Sequence, residues 1–279
     1  MHGVSVTFVV VPQWQGSPSP RAMRQAEGAL AIRADLPAGA TRDVAVPLEA
    51  GDEQGTGIQR FSSLQLVRER LRDVLGELDG PAITIGGDCG VSAAAIAHAA
   101  QVAANEGGGL ALVWFDAHPD LNSAESSPSH AFAGMVLRSI IEDGVVAAER
   151  VTLAGARNWD PDEERFAGEH AVRAFPADDL ADPSALVDAV VSTGADRLYL
   201  HIDLDVLDPG ELEGLLDPEP FGVSASALVQ AVKALTARLP LAGATLAAFA
   251  PASADAAVED APTLLRIIGA LSRGAGNAR

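Results

Sequence analysis

The stretch Leu110-Ala-Leu-Val-Trp-Phe-Asp-Ala-His-Pro-Asp120 joins an apolar run to a cluster of polar side chains. An apolar run without polar alternation is typical of a strand that is buried on both faces of a parallel sheet. In open parallel sheets, ligands bind beyond the carboxyl ends of the strands. The stretch therefore predicts a buried strand over 110–115, followed directly by candidate functional residues.

Comparable runs recur along the chain and alternate with segments of helical spacing. Strands are predicted at 4–11, 43–46, 82–85, 110–115, 151–154, 172–175, 198–203 and 241–249. Helices are predicted at 63–78, 91–105, 135–142, 184–191, 224–239 and 256–272. The alternation predicts an α/β fold, a three-layer α/β/α sandwich with a mainly parallel sheet of roughly eight strands. With neither repeats nor linkers, we expect residues 1–279 to form a single domain.

The amino-acid composition limits the kinds of molecule that the protein is expected to bind. The chain has 279 residues, 48% of them hydrophobic, and its 19 Lys and Arg against 38 Asp and Glu give a net charge of −19. A phosphate backbone or anionic membrane would be repelled, so neither nucleic acid nor a membrane is expected as a partner. Cys89 is the single cysteine, which excludes an intrachain disulfide and a thiolate-rich metal cluster. Without a signal-peptide pattern or a long apolar stretch, a cytoplasmic location is expected.

Three further predicted strands end in, or directly before, stretches that hold candidate functional residues. These are Gly86-Gly-Asp-Cys-Gly90, His201-Ile-Asp-Leu-Asp-Val-Leu-Asp-Pro209 and Ala247-Ala-Phe-Ala-Pro251. The glycine pair alone indicates a tight turn, and because no phosphate-binding glycine motif accompanies it, no nucleotide site is predicted. Asp160 and Asp208 each precede a proline and could be only turn formers or helix caps.

The acidic residues of two of these motifs have a common spacing. Asp116, His118 and Asp120 fall on every second position, as do Asp203 and Asp205, so an extended chain would project each set to one side. Five such acceptors at one sheet edge would repel each other unless a cation lay among them. Carboxylates and imidazole are ligands for manganese, iron or zinc, so a divalent metal site is predicted. Two ions sharing carboxylates would supply hydroxide near neutral pH.

The motifs resemble those of the ureohydrolases, the arginase, agmatinase and formiminoglutamase family. That family's signature runs Gly-Gly-Asp-His, Asp-Ala-His-x-Asp and Ser-x-Asp-x-Asp-x-x-Asp-Pro, and similar motifs occur here in the same order at 86–89, 116–120 and 201–209. The resemblance implies an arginase-like hydrolase with two manganese ions that attacks a guanidine or amidine carbon. It also implies a small guanidino or amidino substrate and a homo-oligomer, either a trimer or a hexamer.

The resemblance assigns roles to individual residues. Those matching the family's metal ligands are Cys89, Asp116, His118, Asp120, Asp203 and Asp205. Asp116 and Asp203 correspond to the bridging carboxylates, and Asp120 is the catalytic residue that would orient the hydroxide. His118 and Asp205 complete the ligands of one ion, and Asp120 and Cys89 those of the other. Substrate contacts are implied for Asn122, Ser129 and Asp160.

Three departures from the family pattern bear on activity. Cys89 replaces a ligand histidine, and because thiolate suits manganese poorly, that ion should be weakly held or be a softer metal. Ala133 replaces the histidine credited with proton transfer, and Ala248 replaces the glutamate that grips the guanidinium. Ordinary arginase activity is therefore not expected. The first two changes are partially similar to the hydroxyarginine hydrolase of D-cycloserine biosynthesis, which suggests an N-hydroxylated guanidine as substrate.

Two histidines and two further functions remain open. His130 lies in a Ser/Pro loop and could either replace the missing proton donor or be solvated and idle. His201 shares a strand face with Asp203 and Asp205 and could orient a carboxylate or simply pack. The alternative to the hydrolase is a catalytically degenerate metal-binding pseudoenzyme or assembly subunit. A deacetylase-like amide hydrolase with one zinc is a third possibility, against which the two-metal signature argues.

Overall fold

A sheet of eight parallel strands runs through residues 6–276, the part of the chain that the computed structural model describes. The strands are β1 (Thr7–Val11), β2 (Thr41–Asp43), β3 (Ala82–Gly86), β4 (Leu110–Phe115), β5 (Val151–Ala154), β6 (Arg173–Phe175), β7 (Arg197–Asp203) and β8 (Leu241–Ala247). Their spatial order is β2-β1-β3-β8-β7-β4-β5-β6, which places β8, β7 and β4 near the centre. Every pairing between these strands is parallel, so the predicted sheet is confirmed.

Helices cover both faces of the sheet. They are α1 (Met23–Asp35), α2 (Phe61–Gly76), α3 (Ser92–Asn105), α4 (Val136–Glu142), α5 (Pro161–Glu169), α6 (Ser184–Val191), α7 (Ala225–Thr236) and α8 (Ala254–Gly276). One apolar core joins the sheet to α1, α6, α7 and α8, and a second joins it to α2, α3, α4 and α5. The three-layer sandwich is thus confirmed. Within residues 6–276, we find no helix long and apolar enough to span a bilayer.

The two cores explain the apolar runs in the sequence. Along β4, Ala111, Val113 and Phe115 enter the first core, whereas Leu112 and Trp114 enter the second. Because side chains alternate between the two faces and both faces are covered, every position of the strand must be apolar. The polar residues can therefore begin only where the strand ends.

Some predicted boundaries were wrong. The chain forms β2 at Thr41–Asp43 rather than at 43–46, and this edge strand pairs only with β1. The predicted strand 241–249 stops at Ala247 because Ala248 takes a left-handed conformation with φ of +69°. Residues 4–5 of the predicted first strand lie outside the described residues. Helices α1 and α5 were not predicted at all.

Candidate metal centre and substrate cavity

A cavity of about 550 Å³ opens at the carboxyl ends of β3, β4, β7 and β8. Each residue for which the sequence predicted a metal, catalytic or substrate role lines it: Cys89, Asp116, His118, Asp120, Asn122, Ser129, Asp160, Asp203 and Asp205. Ala133 and Ala248 line the same cavity. The convergence follows from the sheet, since the carboxyl ends of parallel strands meet at one edge.

Turns, rather than extended chain, present the acidic residues. Beyond β4 the chain does not continue as a strand, and Asp120 has a left-handed φ of +52°. The backbone N–H of His118 donates to Oδ1 of Asp116 at 2.7 Å, which closes this turn. After β7, the N–H of Asp205 likewise donates to Oδ1 of Asp203 at 2.8 Å. The predicted convergence is thus reached by a geometry different from the expected every-second-residue projection.

A buried aspartate fixes the turn after β3. Asp88 accepts hydrogen bonds from Nε2 of Gln13 at 2.8 Å, from the N–H of Gly16 at 2.8 Å and from the N–H of Gly90 at 2.9 Å. The backbone of Gly87 passes so close to Gln13 that a Cβ there would lie 1.8 Å from its carbonyl oxygen. The glycine pair therefore serves close backbone approach, as a tight turn requires.

One group of potential ligands lies at the ends of β4 and β7. Asp116, His118 and Asp205 each offer a ligand atom, and these atoms lie within 4.8 Å of one another. Nδ1 of His118 is 3.0 Å from Oδ2 of Asp205 and 3.6 Å from Oδ1 of Asp116. The N–H of Ala117 donates to the other oxygen of Asp205 at 3.0 Å, which fixes that carboxylate.

A second group shares Asp116 and includes a residue that the sequence did not assign as a ligand. Ligand atoms of Cys89, Asp116 and His201 lie within 4.8 Å of one another. Asp203 belongs to neither group; its oxygens accept from the Cys89 thiol at 2.7 Å and from the N–H of Asp205. Asp116 is therefore placed between two candidate positions, whereas the bridging role of Asp203 stays a prediction.

The cluster concentrates negative charge in a buried space. Burial, together with the charge of Asp205, raises the pKa of Asp116 to about 7. Burial and neighbouring carboxylates also raise the pKa values of Asp120 and Asp203. Burial alone would lower the pKa of His118, but hydrogen bonds with Asp116 and Asp205 raise it above its ordinary value. Carboxylates crowded in this way resist ionisation unless a cation compensates them.

Two buried atoms without hydrogen-bond partners, together with the kinds of ligand atom present, are suited to binding divalent cations. Oδ2 of Asp120 and Nε2 of His201 are buried and have no hydrogen-bond partner in the described part of the chain. Carboxylate oxygen and imidazole nitrogen suit manganese, iron and zinc, while the sulfur of Cys89 suits softer ions. The residues present therefore fit a site for two divalent cations, with a softer donor set on the Cys89 side.

His201 occupies an unusual position for a strand histidine. The side chain is fully buried, its ring stacks on Trp114 with centroids 3.5 Å apart, and Nδ1 is 2.7 Å from Oγ of Ser92. Nε2 is 3.9 Å from Oδ2 of Asp116, which is too long for a hydrogen bond. Burial lowers the pKa of His201 to about 3, so the ring is neutral. His201 therefore does not orient Asp116 through a direct hydrogen bond.

The residues predicted to contact the substrate also line the cavity. Nδ2 of Asn122 donates to Oδ2 of Asp160 at 2.8 Å. Asp160 also starts α5, and its N–H donates to Oε2 of Glu163 at 2.9 Å, so the helix-cap role is observed beside the cavity-lining one. Oγ of Ser129 lies 3.3 Å from Oγ of Ser127. His130, which is exposed and bonds to a backbone carbonyl, is not among the cavity-lining residues.

Gln25 is a cavity residue that the sequence analysis missed. It lies on α1, is 7% exposed, and its Oε1 is buried without a partner among the residues that the structure describes. Arg24 donates to the carbonyl of Pro251 at 3.1 Å, and a Cβ on Gly28 would lie 2.0 Å from the carbonyl oxygen of Phe249. Helix α1 thus packs directly on the segment after β8, which includes Ala248.

The fold and the candidate ligands define a class of α/β proteins that gather carboxylates and imidazole at the carboxyl edge of a parallel sheet. The profile of the Arginase family matches residues 15–268, and the chain belongs to that family. The family resemblance predicted from the three motifs is therefore confirmed.

Individual relatives are distant. Arginase of Staphylococcus aureus (strain MRSA252) is 26% identical over 190 residues, covering 61% of this chain and 61% of that protein, so the match spans about three fifths of the relative's length. The crystal structure of Entamoeba histolytica arginase in complex with L-ornithine has a TM-score of 0.83 at 21% identity, covering 97% of this chain and 99% of that chain. Formimidoylglutamase from Bacillus subtilis subsp. subtilis str. 168 has a TM-score of 0.79 at 17% identity, covering 98% and 87%. These structural likenesses show a shared fold.

Proposed function

We propose that the chain is a metal-dependent hydrolase that cleaves a C–N bond of a guanidino, N-hydroxyguanidino or amidino compound. The observation that carries the proposal is the pair of donor groups that share Asp116 inside one cavity. This arrangement supports two divalent cations. Manganese is the ion that the family resemblance implies, and Cys89 favours a softer ion at one position.

The chain's own residues would then hold the reactants. The cations would supply hydroxide at neutral pH by lowering the pKa of a water molecule. Asp120 lines the cavity with an unpartnered Oδ2, so it can accept a hydrogen bond from this water and hold the proton that the water loses. The hydroxide would add to the amidino carbon as the C=N π electrons move to nitrogen. These electrons would re-form the C=N bond as the C–N bond to the amine breaks, and the proton held by Asp120 would pass to the departing amine.

The cavity wall favours a neutral amidino group. The aspartates of the metal groups would be neutralised by the cations they hold, and Ala133 and Ala248 add no charged partner for the amidino group of a substrate. Desolvating a guanidinium cation without such a partner is costly. The amide oxygen of Gln25 can accept a hydrogen bond from an N–H group without adding charge. An N-hydroxyguanidine is less basic than a guanidine and can enter as the neutral form. Asp160 and Arg21 also line the cavity, and their opposite charges suit the amino-acid end of such a substrate.

The proposal is tested by purifying the protein without chelators, measuring its metals, and screening hydrolysis. Arginine, N-hydroxyarginine, agmatine and formiminoglutamate are suitable substrates, with urea, hydroxyurea and the released amines as readouts. We expect two equivalents of divalent metal and faster hydrolysis of N-hydroxyarginine than of arginine. Asp120→Asn should lower turnover by about 10²–10⁴-fold. Fully loaded protein that hydrolyses none of these compounds would overturn the proposal in favour of a non-catalytic metal-binding subunit.

A further inference from the structure

His201 points an unused nitrogen at the carboxylate cluster. Its Nε2 is buried, has no hydrogen-bond partner within residues 6–276, and lies 3.9 Å from Oδ2 of Asp116. A ring nitrogen of His201 also lies within 4.8 Å of ligand atoms of both Cys89 and Asp116. A neutral imidazole nitrogen in this setting must either carry a hydrogen with no acceptor or present a lone pair with no donor. Leaving a buried polar atom without a partner is unfavourable. We therefore expect a ligand to bind Nε2 of His201.

The surroundings of the ring favour the lone pair. Oγ of Ser92, 2.7 Å away, can accept a hydrogen bond from Nδ1–H, and this tautomer leaves Nε2 free to bind a cation. Metal-binding histidines almost always donate their second ring N–H to such a fixed partner. The stacked indole of Trp114 holds the ring plane, so the direction of Nε2 is set before any ion arrives.

We propose that His201 is a ligand of the cation that Cys89 and Asp116 also bind, and that this position selects zinc over manganese. The inference rests on the divalent cations of the proposed function but not on hydrolysis. Zinc binds sulfur at about 2.3 Å and nitrogen or oxygen at about 2.0–2.2 Å, so two donors on one ion lie at most about 4.5 Å apart. The observed spacing of the three donors is close to that limit and needs only a small side-chain adjustment.

The sequence pattern is consistent with an exchange of donors. The motif that the chain resembles has His where Cys89 stands and Ser where His201 stands. Here sulfur and imidazole occupy these positions and reach the same space. The imidazole is thus relocated to β7 rather than lost, and the added sulfur makes the donor set softer. The other group, Asp116 with His118 and Asp205, offers only oxygen and nitrogen and suits manganese.

Metal titration of the full chain tests the inference. Metal-free protein is titrated with zinc, manganese and cobalt(II), with bound metal measured directly and cobalt followed by absorption. Because zinc binds most such sites more tightly than manganese, the two positions are compared with each other. In wild type, one position should prefer zinc over manganese by a larger factor than the other, and cobalt there should show sulfur-to-metal charge transfer. His201→Asn should weaken that zinc by more than about 100-fold, whereas the matched Ser92→Ala, which removes only the outer partner, should cost about 10–100-fold.

A second variant keeps the test decisive if His201→Asn fails to fold. In the double variant Cys89→His/His201→Ser the imidazole is moved back and the sulfur removed, so the charge-transfer band should vanish and the zinc preference should fall. A folded His201→Asn protein with unchanged zinc affinity and cobalt spectrum would overturn the inference, as would a double variant with unchanged metal preference. Wild type that binds no divalent cation would overturn the proposed function as well. If wild type binds two cations and His201→Asn binds both with unchanged affinity, this inference is overturned and the proposed function is not.

Discussion

The thiol of Cys89 donates a hydrogen bond to Oδ2 of Asp203 across 2.7 Å, joining the turn after β3 to the end of β7. Sulfur can bind a cation only as thiolate, so this proton must leave when an ion binds. Burial and the surrounding carboxylates raise the pKa of Cys89, which makes that loss harder. A cation can therefore bind to Cys89 only if the hydrogen bond between Cys89 and Asp203 is broken.

Replacing Cys89 with histidine should relieve this competition. Imidazole needs no deprotonation at neutral pH and suits manganese better than sulfur does. We expect Cys89→His to raise manganese occupancy in a titration of metal-free protein that measures bound metal. Cys89→Ser, which keeps a donor for Asp203 but offers no imidazole, is the matched control. Equal or weaker manganese binding in Cys89→His would show that the Cys89 side chain is a packing group and not a metal ligand.

Asp203→Asn should abolish metal loading rather than merely slow turnover. Removing one carboxylate from a multi-carboxylate site withdraws neutralising charge from both ions. Elemental analysis of the purified variant should show almost no bound metal. Asp208→Asn is the control, because Asp208 belongs to the same motif but accepts from the N–H groups of Gly210 and Gly222 in a turn. A full metal complement in Asp203→Asn would show that Asp203 is not a ligand shared by the two ions.

Gln25→Glu should shift substrate preference toward protonated guanidines. Gln25 lines the same cavity as Ala248, and its amide oxygen has no partner among residues 6–276, so a carboxylate there would provide the missing negative charge. Charge-assisted hydrogen bonds exceed neutral ones by about 1 kcal/mol, which corresponds to roughly fivefold in kcat/KM for arginine relative to N-hydroxyarginine. Gln25→Leu should weaken both substrates. An unchanged ratio in Gln25→Glu would remove Gln25 from the substrate wall.

Asp88→Asn should destabilise the fold. An asparagine has one acceptor oxygen for the three donors that now bond Asp88, so at least one buried donor would lose its partner. The expected loss is about 1–3 kcal/mol in the free energy of unfolding, measured by urea denaturation of metal-free protein. Asp43→Asn breaks an exposed pair with Arg33 and should leave stability unchanged. Equal midpoints for the two variants would contradict the role of Asp88.

The sheet could be predicted from sequence better than two of the helices. Strands such as β4 are apolar at every position because both faces are covered. Helix α1 escaped prediction because its buried positions are mostly small or polar, Gln25, Ala26, Gly28 and Ala29 among them, and give weak apolar periodicity. Helix α5 begins at Asp160 and Pro161, a pair compatible with a turn, although aspartate before a first-turn proline is also a helix start.

Many of the residues that line the cavity could be predicted, but their conformations could not. Which side chains share the cavity follows from where parallel strands end, and this needs no knowledge of turns. The left-handed backbones of Asp120 and Ala248 depend on contacts between distant segments, so local spacing could not reveal them. Gln25 could not be predicted as a cavity residue because its helix, α1, was not predicted. The orphaned nitrogen of His201 becomes visible only when its neighbours on β4 and α3 are in place.

Because Trp114 stacks on His201, the fluorescence of Trp114 can report metal binding at the site. The indole lies flat against the imidazole at an interplanar angle of 14° and also donates from Nε1 to Oδ2 of Asp116 at 3.0 Å. A cation that draws electron density from either neighbour alters the environment of the excited indole, so its emission will follow occupancy of the centre. The chain has three tryptophans, and replacing Trp14 and Trp159 by phenylalanine would leave Trp114 as the single tryptophan, which can be excited apart from the one tyrosine. Metal arrival could then be timed in a stopped-flow mixer without any added dye.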